Sequence, residues 1–459
     1  LFLKGNITSE AIIPSAVRSS SAQLSLFLKM KVMLLMLFTL FSISGCKMFE
    51  TDQRSDRQLP IVRAPENLFN VPGQMVSSDL VRSIRLAKAG NPASAPVIDI
   101  NSSERLQLQF EMLEFDNRQL RIQFSHHNPD WSRSPLPPEF FLDRSFILYL
   151  DSGALSRGTQ RPQYRQYSYT FPNEQFSFTK SGNYMLQIED RDTGYLLFSL
   201  PFLVMENEGT IISSVERATT PRRDLRLSHR PVSRYLLTDE TDLPQFDLEF
   251  YFVQNQFWGR ARKANEVDFS SPDEVYFELN RNRPFIGDYE FLELRLDDLS
   301  LQNPQVLDAS PNEIPPRLLL FDDVSGFASS GRLLPFGRYG NPDMNLDARY
   351  ANVVFTFDPG DLENEAEIYL LGDFNNWSLH SRNRLRYNSE TGRWQASSII
   401  KKGNYHYKYV LMDEDGIDDL RFDDLFTRTP QEYHALVYMR DSREFYYRLL
   451  QTNQFFSGS

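Results

Sequence analysis

Leu106-Gln107-Leu108-Gln109-Phe110-Glu111-Met112-Leu113 alternates apolar and polar residues. Successive side chains of a strand point to opposite faces, so the pattern puts Leu106, Leu108, Phe110 and Met112 on one buried face. Leu120-Arg121-Ile122-Gln123-Phe124-Ser125 repeats the alternation after a short break. Further strands read at residues 146–150, 166–171 and 184–189. Asp192-Thr193-Gly194 is a hairpin turn leading into a last strand at 195–204. Short strands with turn signals between them predict a β-sandwich over residues 97–208.

Working outward, the same period-two pattern recurs at 246–253, 275–279 and 291–296, which predicts a second β domain over residues 209–342. Residues 304–316 and 326–342 are rich in Pro, Gly, Asn and Ser and mark the expected boundary with a third unit, residues 343–459. That unit has strands at 353–357, 368–371, 394–400, 405–412, 436–439 and 445–449, with turns at Thr391-Gly392 and Lys402-Gly403. No strong amphipathic helix interrupts the series. The predicted fold is all-β: serial immunoglobulin-like β-sandwich domains. Phe (36) and Tyr (21) together far outnumber Gly (21), which suits strands held by aromatic pairs. Hydrophobic residues make up 41% of the chain, enough for real cores. A net charge of −12 argues against a nucleic-acid partner, which would want a basic face.

The N-terminal part reads differently. Residues 1–29 show no organised pattern and are expected to be an over-called upstream segment. Met30 and Lys31 open an apolar run that ends in Ile43-Ser44-Gly45-Cys46. A charged start, a short apolar stretch and small residues before a cleavage point describe a secretory signal peptide over 30–45. Cys46 is the only cysteine, so no internal disulfide accounts for it. Its setting resembles a bacterial lipobox, which implies lipidation of Cys46 and a membrane anchor. Residues 46–96 are polar with scattered prolines and are expected to be the lipidated N-terminus and a flexible tether, with one weak helix-or-strand candidate at 80–86.

Little in the chain suggests chemistry. There is no Gly-x-Ser-x-Gly, no glycine-rich phosphate loop and no second cysteine, so no catalytic residue and no cofactor are expected. His126, His127 and Asp130 could be metal ligands, but the other histidines stand singly, and a shaped surface turn is the plainer reading; no metal site is expected. Asp413, Glu414, Asp415, Asp418, Asp419, Asp423 and Asp424 form an acidic run without the ordered spacing of a calcium loop. Gly372-Asp373-Phe374-Asn375-Asn376-Trp377, followed by Trp394 and by Tyr405-His406-Tyr407-Lys408-Tyr409, resembles the early-set immunoglobulin-like modules that include glycogen-binding modules. That resemblance implies an aromatic surface for carbohydrate, for which Trp131, Trp377 and Trp394 are the candidates. The alternative is that these indoles fill the cores.

A wider resemblance covers most of the chain. His126-His127-Asn128-Pro129-Asp130-Trp131-Ser132-Arg133-Ser134-Pro135-Leu136 resembles the His-Cys-Asp-x-x-Trp-x-x-Ser-x-Leu pattern of the type IX secretion system plug proteins of Bacteroidota-type bacteria. Residues 164–172, Ser181-Gly182-Asn183-Tyr184, Val253-Gln254-Asn255, residues 285–291, residues 369–377, Lys402-Gly403-Asn404-Tyr405-His406-Tyr407 and residues 432–440 continue the likeness in order. His127 stands where the family has cysteine and Asp288 where it has asparagine. The resemblance implies a non-enzymatic protein that seals the periplasmic opening of an outer-membrane translocon β-barrel. With the lipid anchor, it implies a protein held at the outer membrane and facing the periplasm. Lys47, Glu50 and Asp52 weakly resemble the charged tract that sends lipoproteins to the cell surface. A surface lipoprotein with a carbohydrate-binding early-set module is the competing expectation.

Overall fold

The computed structural model describes residues 69–144, 146–158, 161–218, 227–238, 244–287, 289–325, 340–413, 416–423 and 430–458. The expected upstream segment, signal peptide and lipidation site Cys46 lie outside the described residues.

The first sandwich is built from β1 (Val81–Lys88), β2 (Val97–Asp99), β3 (Leu106–Met112), β4 (Leu120–His127), β5 (Leu148–Tyr149), β6 (Ala154–Leu155), β7 (Arg165–Phe171), β8 (Gly182–Asp190) and β9 (Leu196–Met205), with a short helix, α1 (Pro138–Phe141), after β4. One sheet runs β1-β3-β7-β6 and the other β2-β9-β8-β4-β5. The opening stretch behaves as its pattern requires: Leu106, Leu108, Phe110 and Met112 all face the core. Phe124 packs edge-on or tilted against Phe171, Phe176, Phe178 and Phe202 across that core. Aromatic pairs of this kind add to simple area burial.

Of the described end of the expected tether, residues 76–88 are part of this body, while Phe69 packs against the other two sandwiches. β1 pairs antiparallel with β3, and Val81, Ile84 and Leu86 are buried. Its strand character is disguised by a bulge: Ser83 has φ of 53°, and the register shifts between Arg82 and Arg85. The extra residue breaks the two-residue alternation into spacings of three and two, which reads equally as helix or strand.

The second sandwich takes β10 (Thr210–Ala218), β11 (Ser228–Leu236), then α2 (Pro244–Asp247), β12 (Leu248–Gln254), β13 (Arg262–Lys263), β14 (Glu266–Asp268), β15 (Glu274–Glu278) and β16 (Phe285–Ile286). The third takes β17 (Leu292–Leu296), β18 (Val306–Ser310), β19 (Arg317–Leu320), β20 (Asp323–Val324), β21 (Asn341–Pro342), β22 (Tyr350–Asp358), β23 (Glu367–Gly372), β24 (Arg386–Asn388), β25 (Arg393–Lys401), β26 (Gly403–Asp413) and β27 (Gly416–Asp418). The chain then returns: β28 (Glu432–Asp441) and β29 (Tyr446–Phe456) complete the β13-β12-β28-β29 sheet of the second sandwich. Tyr433, Ala435, Val437, Leu450 and Phe455 share that sandwich's core with Phe250, Phe252 and Phe277.

The sandwiches follow one another, but the expected boundary at 342/343 is corrected on both sides. β17 lies before it and pairs with β26 of the third sandwich, while β28 and β29 lie after it and pair with β12. The third sandwich is therefore inserted into the second. Of the stretches that marked a boundary, residues 304–316 contain β18 and lead into β19 of the third sandwich, and residues 326–339 lie outside the described residues.

Candidate functional site

The three tryptophans expected to form a sugar-stacking surface are all buried: Trp131 at 5% exposure, Trp377 at 3% and Trp394 at 3%. Trp131 lies in the turn after β4. Its backbone N–H donates to the Asn128 carbonyl (2.9 Å), and His127 Nδ1–H donates to the Trp131 carbonyl (2.8 Å). The indole packs among Val97, Met185, Leu203, Trp258, Leu436 and Tyr438. Trp377 donates from Nε1 to Asp373 Oδ1 (3.0 Å) and has Phe69, Phe257 and Phe291 rings at 5.3–5.4 Å. Trp394 belongs to the third core. The expected aromatic surface is thus corrected: indoles bury more area than most side chains, and here the burial is spent inside the body.

Two of the three indoles lie at contacts between sandwiches, and these contacts are the most distinctive constructions in the molecule. The first-to-second junction is dry. Val97 of β2, Met185 of β8 and Leu203 of β9 face Val253 of β12, Leu436 and Tyr438 of β28 and Leu449 of β29. Within it Tyr438 donates to Asn183 Oδ1 (2.7 Å), both residues being buried, and at its edge Arg448 pairs with Glu206 and Glu208.

The first-to-third junction is charged. Glu111 of β3 and Lys401 of β25 form an ion pair with both side chains at 0% exposure. Tyr350 donates to Glu111, as does Gln166 Nε2 (3.0 Å). Tyr164 donates to the Ala348 carbonyl (2.9 Å), and its ring lies 4.6 Å from the Lys401 ammonium. Burial pushes the Lys401 pKa down and the Glu111 carboxylate opposes that.

The second-to-third junction combines both kinds. Phe69, Phe257, Tyr289, Trp377 and Val410 make an apolar cluster. Beside it Arg260 pairs with Asp419, to which Tyr289 also donates, and Lys408 pairs with Asp423. Burial alone would raise the Asp419 pKa, but Arg260 and Lys408 hold it below the usual carboxylate range. Within the acidic run Asp419 and Asp423 thus face cations, and Glu414, Asp415 and Asp424 lie outside the described residues. Among the described residues no group of three or more His, Cys, Asp and Glu side chains is arranged to hold a metal ion.

His126 and His127, weighed above as metal ligands, shape the turn instead. His126 Nε2–H donates to the Ser181 carbonyl (2.9 Å), which leaves Nδ1 to accept from Ser134 Oγ–H (2.9 Å). Burial pushes the His126 pKa down to about 4, so the ring is neutral at neutral pH. Gly182 has φ of +135°, and a Cβ there would lie 2.4 Å from His126 Nε2, so no other residue fits without movement.

Sequence reasoning missed one further feature. A cleft of about 680 Å³ opens where the β13 edge of the second sandwich meets the third. Phe257, Phe285, Ile286 and Tyr289 contribute apolar lining, and Arg260, Arg262, Lys263 and Arg283 contribute charge. Those cations are scattered over 24 residues of sequence without periodicity, so no local pattern announces them.

The arrangement defines a class: an interlocked body of β-sandwiches joined through buried apolar and charged contacts. Residues 81–206 match the family described as type 9 secretion system plug protein 1st domain. That span runs from the first residue of β1 to the residue after β9, which is the first sandwich entire. The first sandwich is thus a domain of the type IX secretion system plug family, which ties the chain to type IX secretion and to the cell envelope. No curated protein matches. Among solved structures, a hypothetical protein from Parabacteroides merdae aligns over 84% of this chain and 99% of its own, with 23% identity and a TM-score of 0.75. It shares the fold. The C-terminal domain of the Streptococcus agalactiae AgI/II polypeptide BspA covers 81% of this chain and 99% of its own at 9% identity, but its TM-score is 0.17, too low to indicate a common fold.

Proposed function

We propose that this protein is a non-enzymatic plug of the type IX secretion system that seals the periplasmic opening of the outer-membrane translocon barrel. The observation that carries the reading is the welding of three sandwiches into one body, each touching the other two through a buried junction. A seal has to resist deformation and offer a broad complementary surface, and it needs no reaction chemistry. Cys46 is the proposed lipid anchor. A lipidated chain held at the outer membrane and facing the periplasm stays at high effective concentration near the barrel mouth.

The decisive experiment is affinity purification of the chain from outer-membrane extract. Co-purification of a very large barrel is expected, together with leakage of a periplasmic marker when the chain is deleted. Purification of the chain alone, with no leakage on deletion, would sink the reading. Protease added to intact cells should not reach the protein; digestion would place it on the outer surface instead. Cys46→Ala should weaken closure at native expression if the anchor contributes.

A further inference from the structure

We infer that the open β5 edge of the first sandwich is a self-association surface, which pairs antiparallel with the same edge of a second copy of this chain. This inference does not rest on the plug reading. Three features of the edge carry it.

The first is backbone. Among the described residues β5 is the outermost strand of its sheet. Leu150 N–H donates to the Leu120 carbonyl (3.0 Å), while Leu148 pairs with Ile122 and Tyr149 with Arg121. Antiparallel pairs alternate, so Ile147 and Tyr149 turn their N–H and C=O groups away from β4. Such an edge is a template for another strand.

The second is side-chain chemistry. Native edges are commonly guarded by charge. Other edges of this molecule follow that rule: β13 is Arg262-Lys263, β14 carries Glu266 and Asp268, and β24 opens on Arg386. The β5 edge reads Phe146-Ile147-Leu148-Tyr149-Leu150, without a charge, and Phe146, Ile147 and Tyr149 are exposed. Exposed Phe115 lies beside the end of this edge, where Arg165 donates to the carbonyls of both Phe115 (2.7 Å) and Gly153 (2.7 Å). A contiguous apolar patch marks a contact surface. Neighbouring charges are paired within the chain, Arg121 with Glu189 and Arg118 with Glu114 and Asp190, so two copies meet without stranding like charges.

The third is register. Pairing two identical edges antiparallel about Leu148 sets Ile147 opposite the partner subunit's Tyr149, and Tyr149 opposite the partner subunit's Ile147. All four residues point outward, so each pair exchanges both of its hydrogen bonds. Each pair also sets an aromatic against a β-branched side chain, a favourable cross-strand combination. The edge thus supplies its own complement, which singles out a second copy as the occupant. The result is a closed two-fold dimer that joins two five-stranded sheets into one. The edge is short, so association depends on concentration and is not permanent.

The test uses the full chain with Cys46→Ala, purified in mild detergent, in which no native thiol remains. Sedimentation should show the mass rising from one chain toward two between about 1 and 100 μM. Ile147→Lys, at a position 64% exposed, should abolish that rise while melting like the parent chain. Phe246→Lys, at an exposed aromatic of the second sandwich, should leave the rise unchanged. Mild oxidation of an Ile147→Cys chain mixed with a Tyr149→Cys chain should give covalent dimer at least about threefold faster than either variant alone. Opposed positions lie about 5.5 Å apart and like positions about 7–8 Å. A monomer at about 100 μM overturns the proposal, as does equal cross-linking of mixed and unmixed chains. A chain that stays monomeric yet loses a co-purifying outer-membrane protein on Ile147→Lys also overturns it and gives the edge to that protein.

Discussion

The first sandwich meets its two neighbours through opposite chemistry. Against the second it presents Trp131, Met185 and Leu203, a dry apolar surface; against the third it presents the buried Glu111–Lys401 pair. Apolar burial is strong but non-directional, so a dry junction adheres without fixing a single alignment. A buried ion pair adds little net stability, because desolvation offsets attraction, yet it is satisfied in only one arrangement. The difference separates adhesion from alignment, and each can be removed without the other.

The largest effect should come from the dry junction. Trp131→Ala is expected to destabilise the protein by about 4 kcal/mol in urea unfolding. A loss below about 1 kcal/mol would mean the junction collapses around the gap and adhesion is spread elsewhere. Next, Lys401→Met should cost about 3 kcal/mol by stranding the Glu111 carboxylate, whereas Glu111→Leu with Lys401→Met should recover the wild-type value or exceed it. If the double replacement stays as unstable as the single, the pair is contributing stability in its own right and the contrast fails.

Acid acts alike on a buried histidine in the first sandwich and one in the second. His126, and His229 in the second sandwich, are buried and both have pKa values pushed down to about 4 by desolvation. Their folded values lie below the unfolded value near 6.5, so the unfolded chain binds more protons between those limits. Stability is fully present above about pH 6.5 and falls as pH drops toward 4, by on the order of 2–3 kcal/mol for each histidine. His126→Gln should flatten that slope in melts taken across the range, and an unchanged slope would remove His126 as its source. The smallest effect belongs to the hairpin of β28 and β29, where Phe445 is 71% exposed at φ of 60°. Phe445→Asn should raise stability by about 0.5–1 kcal/mol, since asparagine tolerates the left-handed backbone better.

Much of this was legible in the sequence. Alternation at 106–113 and 120–125 reported the first core correctly, because one face of each strand is buried and the other is not. The motif around His126 to Leu136 led to the right family, since Asn128, Asp130 and Trp131 build one shaped turn that local sequence encodes. What stayed hidden depends on distance. Nothing near Leu292 says that it pairs with Tyr407, and nothing near Leu436 says that it pairs with Tyr251. The tryptophans misled for a related reason. An aromatic on a strand or turn reads alike whether its outer face meets solvent or another sandwich, so a junction between domains resembles a binding platform until the domains are assembled.

Insertion of the third sandwich into the second also imposes an order in time. The hydrogen bond from Gln254 to Tyr433 closes 179 residues of chain, and it cannot form until the last strands have emerged. The first sandwich holds all its own strands by Met205 and can fold while the rest is still being delivered. The second must wait with half a sheet exposed, its β12 edge open to wrong partners, until β28 arrives. Loss of the final 30 residues would therefore leave the first sandwich folded and deprive it of the apolar surface it rests against.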